Sequence, residues 1–323
     1  MNKDAVRVNQ IDLPAIFPSL RLLESLRTAW SIPCLMAAAI VYAGFHVDFG
    51  GSFKNESPYL TATLTPFISR TLAQGMDNIE AIFVQGSAYG WGGIATLIVR
   101  MLCLGFGAVG IARFGGLLVT RHQRSGILRT VRFTAGSWKP VIVSTSLTLT
   151  IGLMGLQFFR IVGHLSAWIS SEPNVVSLSN IIFWLCSFVT LIGLYVLLTG
   201  WLLGLSAIAV DQVDGAEALS RGISYVLSRF RRASCCLILN ALIAYIVAQV
   251  TSWAVTVSGS VALRSIDPDS QLSASLTGGF NTFRTGFVEC VQLSTFCCGL
   301  TLAYLILRQM VDNVDHREIS DQK

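Results

Sequence analysis

Charge is scarce in this chain: Asp, Glu, Lys and Arg make up 13% of its 323 residues, while 53% are apolar and the mean hydropathy is +0.62. A soluble domain of this length needs more polar surface, so the apolar residues must face something other than water. Alternation of apolar and polar residues over ten-residue stretches is also missing, which excludes a membrane β-barrel. Uninterrupted runs of about 20 apolar residues point instead to membrane-crossing helices.

The markers of catalysis are missing as well. His46, His122, His164 and His316 are scattered over different loops, with no HExxH or CxxC spacing, so a metal site has nothing to build on. No serine stands in a GxSxG elbow, and no carboxylate pair lies inside an apolar run, which removes the usual proton-relay or intramembrane aspartyl chemistry. Gly105, Gly107 and Gly110 spell GxGxxG, but inside an apolar run with no preceding strand. They read as close-packing positions, and no cofactor is expected. The eight cysteines lie in or beside apolar runs, or at a helix start in the case of Cys235 and Cys236, and read as reduced thiols. No proline interrupts an apolar run: Pro33 and Pro140 stand at helix entrances, where proline is tolerated. Broken-helix transporters generally carry such interruptions.

What is present is a set of apolar segments at 29–47, 92–112, 140–158, 183–209, 234–257 and 287–307. These predict an all-α bundle crossing the membrane about six times. The division is a 1–28 N-terminal segment, a 29–309 transmembrane domain and a 310–323 tail. The first run reads as an uncleaved anchor, because no small-residue cleavage signature follows it cleanly. Segment 48–91 reads as loop with a short helix around 68–83, too little to bury a core of its own.

Basic residues set the orientation. Lys and Arg before the first run, after the second, after the fourth and after the sixth number seventeen of the 23, against five on the opposite loops and Arg100 within a run. Cytoplasmic loops retain such residues, so both termini are expected in the cytoplasm of a bacterial inner membrane.

The inner loops carry the most information. Leu128, Val131, Ala135 and Trp138 recur at helical spacing, with Arg124, Arg129 and Arg132 on other faces, predicting an amphipathic interfacial helix from Ser125 to Trp138. A second is expected from Asp214 to Arg232: Asp214 and Glu217 have capping-box spacing, and Leu219, Ile223, Val226, Leu227 and Phe230 form its apolar stripe. An offset of 92 residues pairs Ile127 with Leu219, Arg129 with Arg221, Phe133 with Tyr225 and Lys139 with Arg231. This is either an internal repeat, 92–158 with 183–257, or coincidence between two amphipathic helices.

The anionic-lipid surface expected from these loops comprises Arg113, Arg121, Arg124, Arg129, Arg132, Lys139, Arg221, Arg229, Arg231 and Arg232; ordinary positive-inside bias is the alternative. Nucleic acid is a poor partner, because an apolar stripe interrupts the charges. Arg100 should pair, line a cavity or snorkel, and Glu289, placed at the start of the sixth run, is the partner expected. Gly193, Gly200, Gly204 and Ala207 mark the fourth helix as a packing face.

The stretches GIARFGG (110–116), ILRTVRF (127–133), GAEALSRGISYVLSR (215–229) and LILRQMVD (305–312) resemble a family of uncharacterised multi-pass membrane proteins of planctomycete-type bacteria. The resemblance covers crossings two to six, and the middle motif is its most specific part. Where that family commonly closes the motif with arginine–proline, this chain has Arg229 and Phe230. A more distant similarity is to the membrane domain attached to some glycerophosphodiester phosphodiesterases, which is not their catalytic part. Both imply a membrane scaffold without active residues. The expected function is a non-enzymatic membrane protein whose interfacial helices organise lipid or a membrane protein partner. A transporter or channel for a small or lipidic solute, lined by Arg100 and the glycine faces, is the alternative.

Overall fold

The computed structural model describes residues 22, 24–45, 88–121, 127–169, 176–263 and 271–312. Within them the chain is helical, with no strand: α1 (Glu24–Ala29), α2 (Ile32–Phe45), α3 (Ala88–Arg121), α4 (Ile127–Gly136), α5 (Trp138–Ile169), α6 (Val176–Asp211), α7 (Gly215–Ser228), α8 (Phe230–Leu263) and α9 (Gln271–Asp312). The all-α bundle expected from composition is what forms. Of the loop expected at 48–91, residues 88–91 instead open α3, and the rest of it, its short helix, Ser125 and the tail beyond 312 lie outside the described residues.

Four helices contain stretches long and apolar enough to cross a membrane, 95–117 of α3, 183–211 of α6, 230–261 of α8 and 276–312 of α9; α2 is apolar but shorter. On α5, Val143, Leu147, Ile151, Met154, Phe158, Ile161 and Leu165 are all exposed. They recur every three or four residues, one apolar stripe along the helix. Water would not tolerate so much exposed apolar surface, and hydrocarbon does. The chain is a membrane protein.

The described helices fall into three consecutive units of three, α1–α2–α3, α4–α5–α6 and α7–α8–α9; the last two are a short helix followed by two long ones, whereas α2 is described over 14 residues, as many as α7. In each unit the second helix packs on the third, as α2 on α3, α5 on α6 and α8 on α9. Each short helix packs on the third helix of another unit: α4 on α3, α7 on α6 and α1 on α9, which closes the ring. The three third helices also touch one another pairwise and make the centre. Small residues permit their approach, as at Gly116 of α3, where an added Cβ would stand 3.5 Å from Val210 of α6 and 3.6 Å from Thr301 of α9. The candidate span of α9 is 89% buried and that of α8 39%, the difference between a central and a peripheral helix.

Each short helix meets the following long one at a break. Ser137 between α4 and α5 and Arg229 between α7 and α8 are 92 residues apart, the offset at which the two loops align. Ser31 stands in the corresponding place before α2.

Candidate functional site

Most of the polar chemistry that the fold gathers lies where α6 ends. Asp211 closes α6, and the carbonyl end of a helix disfavours a carboxylate. Its side chain is nonetheless 6% exposed, held by an ion pair from Arg221 Nη1 to Oδ2 at 3.2 Å and one from Arg308 Nη1 to Oδ1 at 3.1 Å. The hydroxyl of Tyr304 donates to Oδ2. Arg221 reaches Glu217 as well, Nη2 to Oε1 at 2.6 Å. Tyr225 lies against Tyr304, ring centroids 5.6 Å apart, and donates its hydroxyl to Asp312. The cluster thus joins the ends of α6 and α9 to α7.

The sequence folds this way because the chain reverses sharply after Asp211. Gln212 adopts φ 57°, the left-handed conformation that commonly ends a helix but usually on glycine. The turn lays α7 back along α6. Gly200 and Gly204 face it: a Cβ on Gly204 would stand 2.8 Å from the Ala218 carbonyl oxygen and one on Gly200 2.9 Å from the Ile223 nitrogen. Gly222 in turn abuts the Gly200 backbone, and Gly215 that of Pro140 in α5. Of the α7 apolar stripe, Leu219 and Val226 are buried in this contact and Ile223 is half-buried, while Leu227 and Phe230 remain exposed. The bundle therefore consumes much of the surface that the sequence assigns to the headgroup layer. The expected capping box does not form: Asp214 occupies the N-cap without a side-chain hydrogen bond, and Glu217 is engaged by Arg221.

Burial works against the Arg221 charge, but the hydrogen bond and charge of Glu217 outweigh it and raise its pKa above the ordinary range. The Tyr225 hydroxyl is also pushed up, first by burial and then by its bond to Asp312, which requires the proton.

The helix α4 is arranged differently. Thr130 is buried, Phe133 and Thr134 are half-buried, and Thr134 lies 3.2 Å from where a Cβ on Gly110 would stand. The outward side is divided in two. Leu128 (86% exposed), Val131 (58%) and Ala135 form an apolar stripe that Trp138 (50%) continues into α5, and Arg129 and Arg132 lie beside it, with Lys139 over the Trp138 ring at 5.5 Å.

The ten basic residues expected on one surface are thereby sorted. Arg129, Arg132, Lys139, Arg229, Arg231 and Arg232 are exposed. Arg113 and Arg221 belong to the interior contacts instead: Arg113 donates to the Ala209 carbonyl at 3.0 Å and lies over the Phe133 ring, and Arg221 holds Asp211. Their reach into a neighbouring helix end offsets the cost of half-burial. The Arg121 side chain and Arg124 lie outside the described residues. Gly193 is exposed with nothing within 4 Å of a Cβ, so it faces away from the packing surface of Gly200 and Gly204, whereas Ala207 is buried.

Arg100 is buried, 8% exposed, on α3 one turn from Cys103, which faces Gly44 of α2. Glu289 is half-buried on α9 one turn from Gly286, where an added Cβ would stand 3.4 Å from the Tyr42 ring of α2. The two charges thus approach the same part of α2 from its two neighbours. Glu289 stands well inside a helix that begins at Gln271, not at a helix start, because the mixed polar and apolar residues 271–286 continue the helix ahead of it. The cysteines are all free thiols, five of them buried.

Sequence reasoning missed the Asp211 cluster, whose members stand 4 to 101 positions apart in the chain. One signal was available: an acid in the last turn of an otherwise uncharged helix needs partners. No family model, curated protein or solved structure matches the chain.

Proposed function

We propose that this protein is a non-enzymatic scaffold of a bacterial inner membrane, crossing six times with both termini in the cytoplasm and organising anionic lipid on that face. The observation that carries the reading is the outward side of α4, with Leu128, Val131 and Trp138 exposed beside Arg129, Arg132 and Lys139. Exposing a leucine to water forgoes about 2 kcal/mol, which insertion into the acyl boundary recovers. Each nearby Lys or Arg adds roughly 1 kcal/mol at an anionic leaflet, so three give about 3 kcal/mol before screening. The resemblance to multi-pass planctomycete-type membrane proteins and to the phosphodiesterase-attached membrane domain favours the same role. Excess basic residues on this side supply the orientation.

The test is native mass spectrometry of protein extracted in nanodiscs of mixed zwitterionic and anionic phospholipid. The parent should retain anionic lipid, and the triple variant Arg129→Gln, Arg132→Gln, Lys139→Gln should lose most of the enrichment. Equal retention of both lipid classes by the parent would sink the reading.

Transport of a small or lipidic solute is the second reading, favoured by a buried Arg100 within the α3 span. It predicts solute flux in proteoliposomes that Arg100→Ala abolishes. A Cβ built on Gly116 would meet Val210 at 3.5 Å and Thr301 at 3.6 Å, so the central helices approach closely at that level. The crevice between α3, α5 and α6 is lined by Met101, Leu149, Gly152 and Leu197, and the one hydroxyl there, on Thr148, is bonded to the Ser144 carbonyl at 2.9 Å. These features favour a scaffold.

A further inference from the structure

Two of the buried thiols come from different helices and meet. Cys34 of α2 and Cys298 of α9 are 1% and 2% exposed, and each thiol lies within hydrogen-bonding reach of the other. Ser294, one turn before Cys298, donates its hydroxyl to the Ala29 carbonyl at 2.9 Å and lies within reach of both sulfurs. The surrounding contacts give the same register. A Cβ added to Gly115 of α3 would stand 3.5 Å from the Cys298 Sγ and 3.5 Å from the Thr28 side chain, which sets the end of α1 beside Cys298. Further along α2, the Tyr42 ring would stand 3.4 Å from a Cβ on Gly286, which precedes Cys298 in α9. The two helices therefore run antiparallel, with Cys34 and Cys298 on facing sides.

Paired thiols carry a reaction that a single buried cysteine does not. Sulfurs in contact have to close by roughly 2 Å to reach the disulfide bond length of about 2.05 Å. With hydrogen peroxide the balance is complete: one thiol attacks a peroxide oxygen, giving a sulfenic acid and water, and the second thiol displaces a second water as the S–S bond forms. Two S–H bonds and one O–O bond break, the two sulfurs are oxidised and the peroxide is reduced. Reactants and products are all uncharged, which suits a site where burial penalises charge. Burial also selects by size. Peroxide is little larger than water, whereas exchange with a thiol reductant requires the reductant itself to reach a sulfur.

We infer that Cys34 and Cys298 are a modification site, a dithiol that hydrogen peroxide closes to a disulfide tying α2 to α9. The two residues stand 264 positions apart, so the bond joins the first unit of the bundle to the last and restricts the unfolded chain over most of its length. Closure is slow, because neutral thiols are poor nucleophiles. Once formed, the bond is shielded from thiol reductants for as long as the bundle stays folded. The inference does not depend on the protein's role as a scaffold or on lipid as its partner.

The test exposes the full chain in liposomes to hydrogen peroxide, raised until Cys235, an exposed thiol, is oxidised, which establishes that the oxidant has reached the protein. The chain is then unfolded with excess N-ethylmaleimide, cleaved with trypsin and analysed by mass spectrometry without reduction. The tryptic peptides 28–54 and 285–308, which carry Cys34 and Cys298, should appear linked. Cys34→Ala and Cys298→Ala should each lose the linked pair, and Cys297→Ala should keep it. Fragmentation of the linked parent peptides assigns the bond even where a variant fails to fold. Glutathione added to the oxidised protein should cleave the link only after unfolding. Cys235 oxidised while Cys34 and Cys298 are both alkylated overturns the inference, as does a link that runs through Cys297 or Cys290, or one that glutathione cleaves equally fast before unfolding.

Discussion

Replacing Gly204 with alanine tests whether α7 is held by close backbone approach. The added Cβ would stand 2.8 Å from the Ala218 carbonyl oxygen, 3.0 Å from its carbon and 3.3 Å from the Leu219 Cα. These are backbone atoms of a helix and cannot rotate aside, so α7 must move by roughly half an ångström and lose dispersion contacts along its length. Overpacking of this kind costs about 1–3 kcal/mol. Alanine also raises helix propensity by about 1 kcal/mol, which complicates the single variant. Gly193→Ala removes the complication, since Gly193 lies in the same helix with nothing within 4 Å of its Cβ. The difference between the two variants isolates the steric cost, about 1–3 kcal/mol or roughly a 5- to 150-fold change in the unfolding equilibrium. Reversible unfolding in mixed detergent and lipid micelles, followed by circular dichroism, measures it. If Gly204→Ala and Gly193→Ala unfold at the same detergent fraction, α7 does not rest on α6 as described.

Three further outcomes follow from the Asp211 cluster and its turn. Asp211→Ala leaves Arg308, whose side chain is 13% exposed, without its carboxylate. Arg221 is 37% exposed and stays partly solvated. The loss in unfolding free energy should therefore fall near the lower end for a broken buried pair, about 3 kcal/mol, read in the same micelle titration. Tyr225 has a raised folded-state pKa, so its contribution is complete below the unfolded value of about 10 and is lost as pH rises toward the folded value. Stability measured from pH 9 to 11 should fall more steeply in the parent than in Tyr225→Phe, and parallel curves would contradict the bond to Asp312. Gln212→Gly relieves a left-handed backbone by about 1 kcal/mol and should raise the thermal midpoint; a lowered midpoint would show that the glutamine side chain contributes more than its strain costs.

Several of these features differ in how legible they were in the sequence. Leu128, Val131 and Trp138 recur at helical spacing and remain exposed, because none of the described residues covers that face of α4. The matching stripe of α7 reads the same way, yet Leu219 and Val226 are buried, because Gly200, Gly204, Gly215 and Gly222 allow backbones to approach. Periodicity reports that a face is apolar and not whether protein or lipid covers it. Arg113 and Arg221 illustrate the same limit for charge: a basic residue in a loop reads as surface until its partner, here the Ala209 carbonyl or Asp211, is brought near by the fold.

The sequence by itself determined that this chain is helical and belongs in a membrane, because those properties follow from local composition: long apolar runs, scarce charge and short basic amphipathic segments. A backbone in hydrocarbon must satisfy its own hydrogen bonds, which leaves few alternatives to the helix. Tertiary structure alone decided that Asp211 draws Arg221, Arg308 and Tyr304 around it, that α7 lies on α6, and that α1 packs on α9 to close a ring of three units. Those contacts join residues up to hundreds of positions apart, and the shapes of facing helices select them rather than any pattern within one segment.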